Sequence, residues 1–238
     1  MSPNVLFMPF PQPYINATFL KRPQRFLAEM LFLDGTQSLV YCANPGSLKG
    51  CLEPNSPSLL WDSADPKRKR RYTWRAIELK AGWVGTDIHL ANRLAEQALL
   101  QGLLPGFKNY EKLEREKQVE PGHRVDFLLT GSEGLCFIEV KSATVVEQEV
   151  ARFPDSLTPR SLKQLESLTR KALEGHRVVL LFLSQRGDAK SFTINTEHYP
   201  AYTLAFKKAL AAGVETMALS VAVSPQGFTT PKILPVNF

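Results

Sequence analysis

Cysteine is scarce in this chain: of 238 residues only Cys42, Cys51 and Cys136 carry a thiol. An odd number without Cys-x-x-Cys spacing excludes a disulfide framework and a zinc ribbon, and makes reducing cytoplasm the expected compartment. Histidine is also sparse, and His89, His123, His176 and His198 show no metal-ligand spacing. Long apolar runs are missing. The opening stretch MSPNVLFMPFPQPY is apolar, but it lacks a basic lead-in, is broken by four prolines and is too short to cross a bilayer. Neither a signal peptide nor a membrane span is therefore expected. A Gly-rich phosphate loop, a nucleophile elbow, a helix-turn-helix, a zinc finger, internal repeats and low-complexity segments are all absent from the sequence as well.

A hydrophobic content of 44% can support one large domain or two small ones. The formal net charge of +6 and the pI near 9.2 favour a polyanionic partner. From residue 14 to 86 the pattern is mainly strand, with candidates at Phe26 to Phe32, Ser38 to Cys42, Ser58 to Trp61, Tyr72 to Leu79 and Trp83 to Thr86. Asp34-Gly35, Asn44-Pro45-Gly46 and Glu53-Pro54-Asn55 punctuate them, so a small barrel is expected over residues 1–86. Helical spacing begins near Asp87. His89 to Gly102 reads as an amphipathic helix, and Thr158-Pro159 caps a second one carrying Leu162, Leu165, Leu168 and Ala172. Arg177 to Ser184 is apolar on both faces and reads as a buried strand. Tyr199 to Ala212 is a third helix and Val214 to Val223 a further strand, so residues 87–238 form an α/β domain.

The chemistry concentrates between Arg124 and Ser142. Two apolar runs flank Gly131-Ser132-Glu133-Gly134, the composition of a β-hairpin. With Ser132 and Glu133 leading the turn, Thr130 faces Leu135, Leu128 faces Phe137 and Asp126 faces Glu139. Lys141 then projects on the same side as both carboxylates, while Val125, Phe127, Leu129, Cys136, Ile138 and Val140 form an apolar core face. Like charges opposed on a hairpin are destabilising, so the pair calls for a ligand, and Mg²⁺ or Mn²⁺ held by Asp126 and Glu139 supplies one. Lys141 would serve the attacking water or a phosphate. A solvated face is the simpler alternative, since acid-x-Lys recurs at Asp65-Pro66-Lys67, Glu78-Leu79-Lys80 and Asp188-Ala189-Lys190.

The densest charge run is Lys67, Arg68, Lys69, Arg70 and Arg71, followed by Tyr72 and Trp74. Five adjacent cations can neutralise phosphates and nearby aromatics can stack on unpaired bases, or the run is a solvated loop and Trp74 belongs to the core. Arg160 and Lys163, on the polar side of the second helix, are further candidate phosphate contacts.

Asp126 followed by Glu139-Val140-Lys141 resembles the PD-(D/E)xK nuclease core, with Val125 in place of the proline. More broadly, the chain from about Arg22 resembles the sugar fermentation stimulation protein A family. The motifs that carry the likeness are Asn44-Pro45-Gly46, Ala91-Asn92-Arg93-Leu94, Arg124-Val125-Asp126-Phe127, Ile138-Glu139-Val140-Lys141-Ser142, Phe153-Pro154-Asp155 and Leu234-Pro235-Val236. The resemblance implies an OB-fold-like N-terminal barrel, a nuclease-like α/β domain with a mixed central sheet (α+β overall), DNA as partner and a part in regulating sugar use. It also implies Val140 as a carbonyl ligand to the metal and a glutamate at position 97. This chain has Gln97 there, with Glu96 about 100° around the helix. The expected function is largely sequence-nonspecific DNA binding with Mg²⁺-dependent phosphodiester hydrolysis; the alternative is a non-catalytic regulatory DNA-binding module with a vestigial site. RNA as a competing ligand and a homodimer stay open, and no membrane partner is expected.

Overall fold

The structure, a computed structural model, describes residues 6–156 and 158–238; Met1 to Val5 of the apolar opening stretch lie outside it. The first strands are β1 (Leu6–Pro9), β2 (Tyr14–Gln24), β3 (Leu27–Phe32), β4 (Gln37–Cys42), β5 (Pro57–Asp62), β6 (Tyr72–Leu79) and β7 (Gly82–Gly85). After α1 (Ile88–Leu100) come β8 (Tyr110–Glu120), β9 (His123–Gly131), β10 (Gly134–Ser142), β11 (Val145–Glu147) and β12 (Val150–Phe153). The chain continues through α2 (Pro159–Leu173), β13 (Arg177–Ser184), β14 (Ser191–Ile194), α3 (Pro200–Ala211) and β15 (Glu215–Ser220). It closes with β16 (Val223–Ser224), β17 (Gly227–Thr229), β18 (Lys232–Leu234) and β19 (Val236–Asn237).

Strands β2 to β6 close a five-stranded barrel. β3 pairs with β2 and β4, β4 runs parallel to β6, β6 pairs with β5, and β5 returns to β2. In barrel numbering that is the order 1-2-3-5-4-1, the OB topology. Its inside is filled by Phe19, Met30, Leu60, Trp74 and Ile77, with the Phe19 and Trp74 rings stacked at 5.0 Å. Trp74 is thus core, and its indole N–H donates to the Ala76 carbonyl. Burial of such large side chains is what holds a small barrel closed.

The second sheet has the order β18-β15-β13-β10-β9-β8 and is mixed: β8, β9 and β10 form an antiparallel meander, and β10, β13 and β15 run parallel. α1 covers one face, packing on Phe127, Leu129, Ile138, Val140, Val179 and Leu181. α2 and α3 cover the other, on Leu128, Phe137, Val178, Leu180 and Phe182. The expectation of one core face and one chemical face on the hairpin is corrected here. Both faces are core along most of β9 and β10: Val125 packs on the α2 and α3 side rather than with Phe127, and the charged residues gather at the end of the paired strands, where Asp126 meets α1 and Lys141 meets α2. β8 is an element that the sequence pattern does not announce. Its sequence YEKLEREKQVE is an edge strand whose charges face water, so the apolar alternation that marks a half-buried strand is weak.

The chain also returns to its first half. β16 pairs with β7 and β17 with β1, so residues after 220 extend the sheet built by residues before 86. The junction is stiffened by Asp87, the N-cap of α1, whose Oδ1 accepts from the His89 amide while its other oxygen is ion-paired with Arg75 of β6. Gln185, just past β13, donates to the Asp87 carbonyl, and its own carbonyl accepts from Gly85.

Candidate functional site

The hairpin register is the one read from the sequence near the turn, where Leu135 faces Thr130 and Phe137 faces Leu128, but the expected cross-strand pair of Asp126 and Glu139 is not part of the ladder. Pairing continues to Ile138 and Phe127. Past that pair the strands part, and the Val140 amide donates 2.7 Å to Asp126 Oδ2 rather than to backbone. Asp126, Glu139, Val140 and Lys141 line one cleft of about 330 Å³. Asp126 Oδ1 accepts from Asn92 of α1 at 2.7 Å. Lys141 donates to Glu139 Oε1 at 2.6 Å and to Gln164 of α2 at 2.9 Å. Glu139 is 3% exposed, and its second oxygen, Oε2, has no hydrogen-bond partner. Facing that oxygen at 3.7 Å is Nε2 of His123, itself unpartnered, while His123 Nδ1 contacts the Ser167 hydroxyl.

The electrostatics follow from this crowding. Burial, reinforced by the Glu139 charge, pushes the Asp126 carboxyl up to about 7, against the opposing pull of the Val140 amide, Lys141 and Asn92. For Glu139 burial acts in the same raising direction, but the Lys141 charge, the nearby His123 and the Lys141 hydrogen bond outweigh it and hold the group below its ordinary value. Two acids of unequal proton affinity, an unpartnered carboxylate oxygen and a lysine thus meet at one cleft wall. A divalent cation matches that donor set, which offers a few carboxylate oxygens with room for water and phosphate.

The other sequence candidates separate. Arg160 lines the cleft, whereas Lys163 lies in a neighbouring groove with His123 and Arg170. Lys67 and Lys69 are exposed on the β5–β6 loop, Arg68 and Arg70 are half-buried, and none of the run reaches the cleft. Arg71 is held by Asp62 through two hydrogen bonds of 2.7 and 2.6 Å, which removes it from the free cations of the run. On α1, Gln97 points its unpartnered amide oxygen into the protein. Glu96, one position earlier, is i+4 from Asn92 and shares a groove with Asp126, where Arg115 ion-pairs with it.

Sequence reasoning missed Asn92, His123 and Gln164 as neighbours of the acids, and it missed the barrel's share of the cleft. Asn44, Pro45 and Gly46 form one wall. Asn44 reaches Thr144, the Ser47 amide donates to Asp155 Oδ2 at 2.9 Å, and Gly46 sits so close that an added Cβ would meet the Asp155 carboxylate. Arg22 fixes this loop by donating to the carbonyls of Asn44, Gly46 and Ser47. The signal was present, because Asn44-Pro45-Gly46, Asn92-Arg93-Leu94 and Phe153-Pro154-Asp155 stood out as motifs; their contact did not.

Comparison with known proteins agrees with this architecture. Residues 20–86 match the family description "SfsA N-terminal OB domain", and residues 89–227 match "Sugar fermentation stimulation protein RE domain". A sugar fermentation stimulation protein homolog of Pelobacter propionicus is 39% identical, over 94% of this chain and 97% of the relative. That of Ruegeria sp. is 39% identical, over 96% and 100%. The solved structure of Pyrococcus furiosus SfsA in complex with Ca²⁺ superposes with a TM-score of 0.89 at 25% identity, covering 98% of this chain and all of that one. With both halves matched and relatives aligned along nearly their whole length, the chain belongs to the sugar fermentation stimulation protein family.

Proposed function

We propose that this protein binds DNA with little regard to sequence and hydrolyses phosphodiester bonds with a divalent cation, Mg²⁺ or Mn²⁺, held by Asp126 and Glu139 with the Val140 carbonyl beside them. The observation that carries the reading is the pair of buried carboxylates converging from β9 and β10 on one cleft wall, with Glu139 Oε2 left unpartnered. The Pyrococcus furiosus protein, solved in complex with Ca²⁺, supports a cation-binding role for the fold.

When bound, the cation supplies Lewis-acid polarisation of a phosphate and a more acidic water. The protein's own residues do the rest. Asn92 and the Val140 amide fix the two Asp126 oxygens, and Gln164 holds the Lys141 ammonium against the cleft, where it neutralises charge developing on phosphate. Arg160, exposed at the rim, contacts backbone phosphate. A part in sugar use enters with the family name.

A second reading, a non-catalytic DNA-binding module, is favoured by the Lys141–Glu139 ion pair and by Glu96 being taken up by Arg115. Calorimetric titration with Mn²⁺ and a cleavage panel of single-stranded, duplex and branched DNA separates the two. The enzyme reading requires divalent-dependent cleavage that disappears in Asp126→Asn. DNA binding without cleavage or cation binding leaves the module.

A further inference from the structure

On the outer surface of the barrel lies an arginine cluster that the cleft does not use. Leu60 points into the barrel core, so its neighbour Trp61 on β5 projects outward, half-buried. Two guanidinium groups lie over its ring, Arg68 at 5.2 Å and Arg75 at 5.0 Å from the centroid. Arg75 is delivered there by a β-bulge: Leu59 pairs with Ala76 and Leu60 with Trp74, which leaves Arg75 as the extra residue. Bulges re-aim side chains in this way. Burial, with smaller contributions from the charges of Arg93 and Arg68, brings the Arg75 guanidinium down to about 10, and Arg93 itself is exposed on α1.

As a purely structural arrangement this is poor design. Asp87 is the carboxylate that answers Arg75, and it already caps α1. Arg68 and Arg93 have no ion pair among the described residues. Two guanidiniums over one indole, with Arg93 of α1 in the adjoining groove, are instead the composition of a strand-binding platform, in which the ring stacks on a base and the cations hold the flanking phosphates. The location agrees. Arg68 belongs to the β5–β6 connection, the loop between the last two barrel strands, which in OB barrels flanks the oligonucleotide face. Arg93 lines the groove that runs beside α1 to Asn92 and Asp126.

We propose that Trp61, with Arg68 and Arg75 over its ring, docks an unpaired DNA strand whose backbone continues past Arg93 along the α1 groove to Asp126. The inference rests on the DNA-processing reading above and narrows its substrate to DNA with a single-stranded segment. Arg68, without an ion pair among the described residues, shifts aside from the ring to make way for a base and stays within reach of its phosphates, while Arg75, held by Asp87, keeps its place on the other side.

The test uses the full chain with fluorescein-labelled oligo(dT), oligo(rU) and a blunt duplex, followed by anisotropy at low and moderate salt. Trp61→Leu is expected to weaken oligo(dT) binding about tenfold and to leave duplex binding within about twofold. Arg93→Gln, at an exposed helical position where folding is not at risk, is expected to reduce the log K against log salt slope for oligo(dT) by about 1. Unchanged oligo(dT) affinity in both variants overturns the docking site, even where wild type binds and cleaves DNA. Tighter binding of oligo(rU) than of oligo(dT) overturns the assignment to DNA. Failure of wild type to bind any of the three overturns this inference and the DNA-binding function together, whereas binding without cleavage removes only the enzyme reading.

Discussion

Asp126 accepts from Asn92 and from the Val140 amide, yet its carboxyl still rises to about 7 against an ordinary 3.8. An acid whose folded value is raised takes up a proton on folding. Its protonation therefore stabilises the fold fully below about 4 and progressively less as pH rises toward about 7. Metal-free protein should lose stability across that window, by up to roughly 1.4 kcal/mol per unit of separation before solvent screening. Asp126→Asn should flatten this dependence and melt higher than wild type at pH 8, because Asn92 can turn its amide to accept from the new NH₂ while Val140 keeps its acceptor. Thermal melts at pH 4, 6 and 8 check it, and Mn²⁺ should raise the wild-type melting temperature at pH 8 but not that of Asp126→Asn. Lys141→Ala is expected to act oppositely: with the competing ammonium gone from Glu139 Oε1, Mn²⁺ affinity holds or rises, while turnover falls on the order of 10²-fold. Calorimetry beside single-turnover cleavage reads both quantities. The tripeptide Glu139-Val140-Lys141 could not carry this by itself, since Asp188 of Asp188-Ala189-Lys190 merely pairs with Arg186.

Among the elements, α1 and the Asn44–Ser47 loop do the positioning. α1 brings Asn92 to Asp126, and its start is fixed by Asp87, fully buried and shared between the His89 amide and Arg75. Asp87→Ala removes a cap and leaves a guanidinium without its partner, a loss of about 3 to 5 kcal/mol in urea unfolding. The loop is a matter of close approach. Gly46→Ala places a Cβ against the Asp155 carboxylate and should cost about 1 to 3 kcal/mol. Much of that cost should vanish in an Asp155→Ala background, a coupling that a double-mutant cycle measures directly. An additive result would show that the loop yields elsewhere.

At the scale of the whole molecule, the net charge of +6 is spread unevenly, and the β5–β6 loop presents Lys67 and Lys69 to solvent while Asp62 neutralises Arg71. Replacing Lys67 and Lys69 by alanine should lower the salt slope of duplex DNA binding by about 2, and Arg71→Ala should change it little. Fluorescence anisotropy across low to moderate salt is the measurement. The barrel, the α/β half, the first helix near His89, the cap at Thr158 and the hairpin register from the turn to Phe127 and Ile138 were legible in sequence because each rests on local chemistry. Turn residues, caps and side-chain period act over a few neighbouring positions. What the sequence could not rank was which polar residues meet. Asn92 and Glu96 look alike on a helical wheel until β8 and β9 present Arg115 to one and Asp126 to the other. β8 itself was hidden by the charges that its edge position permits, and the C-terminal hairpin's return to β1 and β7 left no local trace. The Asn44–Gly46 wall of the cleft likewise exists only once both halves are folded, since Ser47 beside it meets Asp155 across a sequence separation of 108. Contacts between distant segments arise from the packing of finished elements, and no periodicity within one element encodes which other element will cover it.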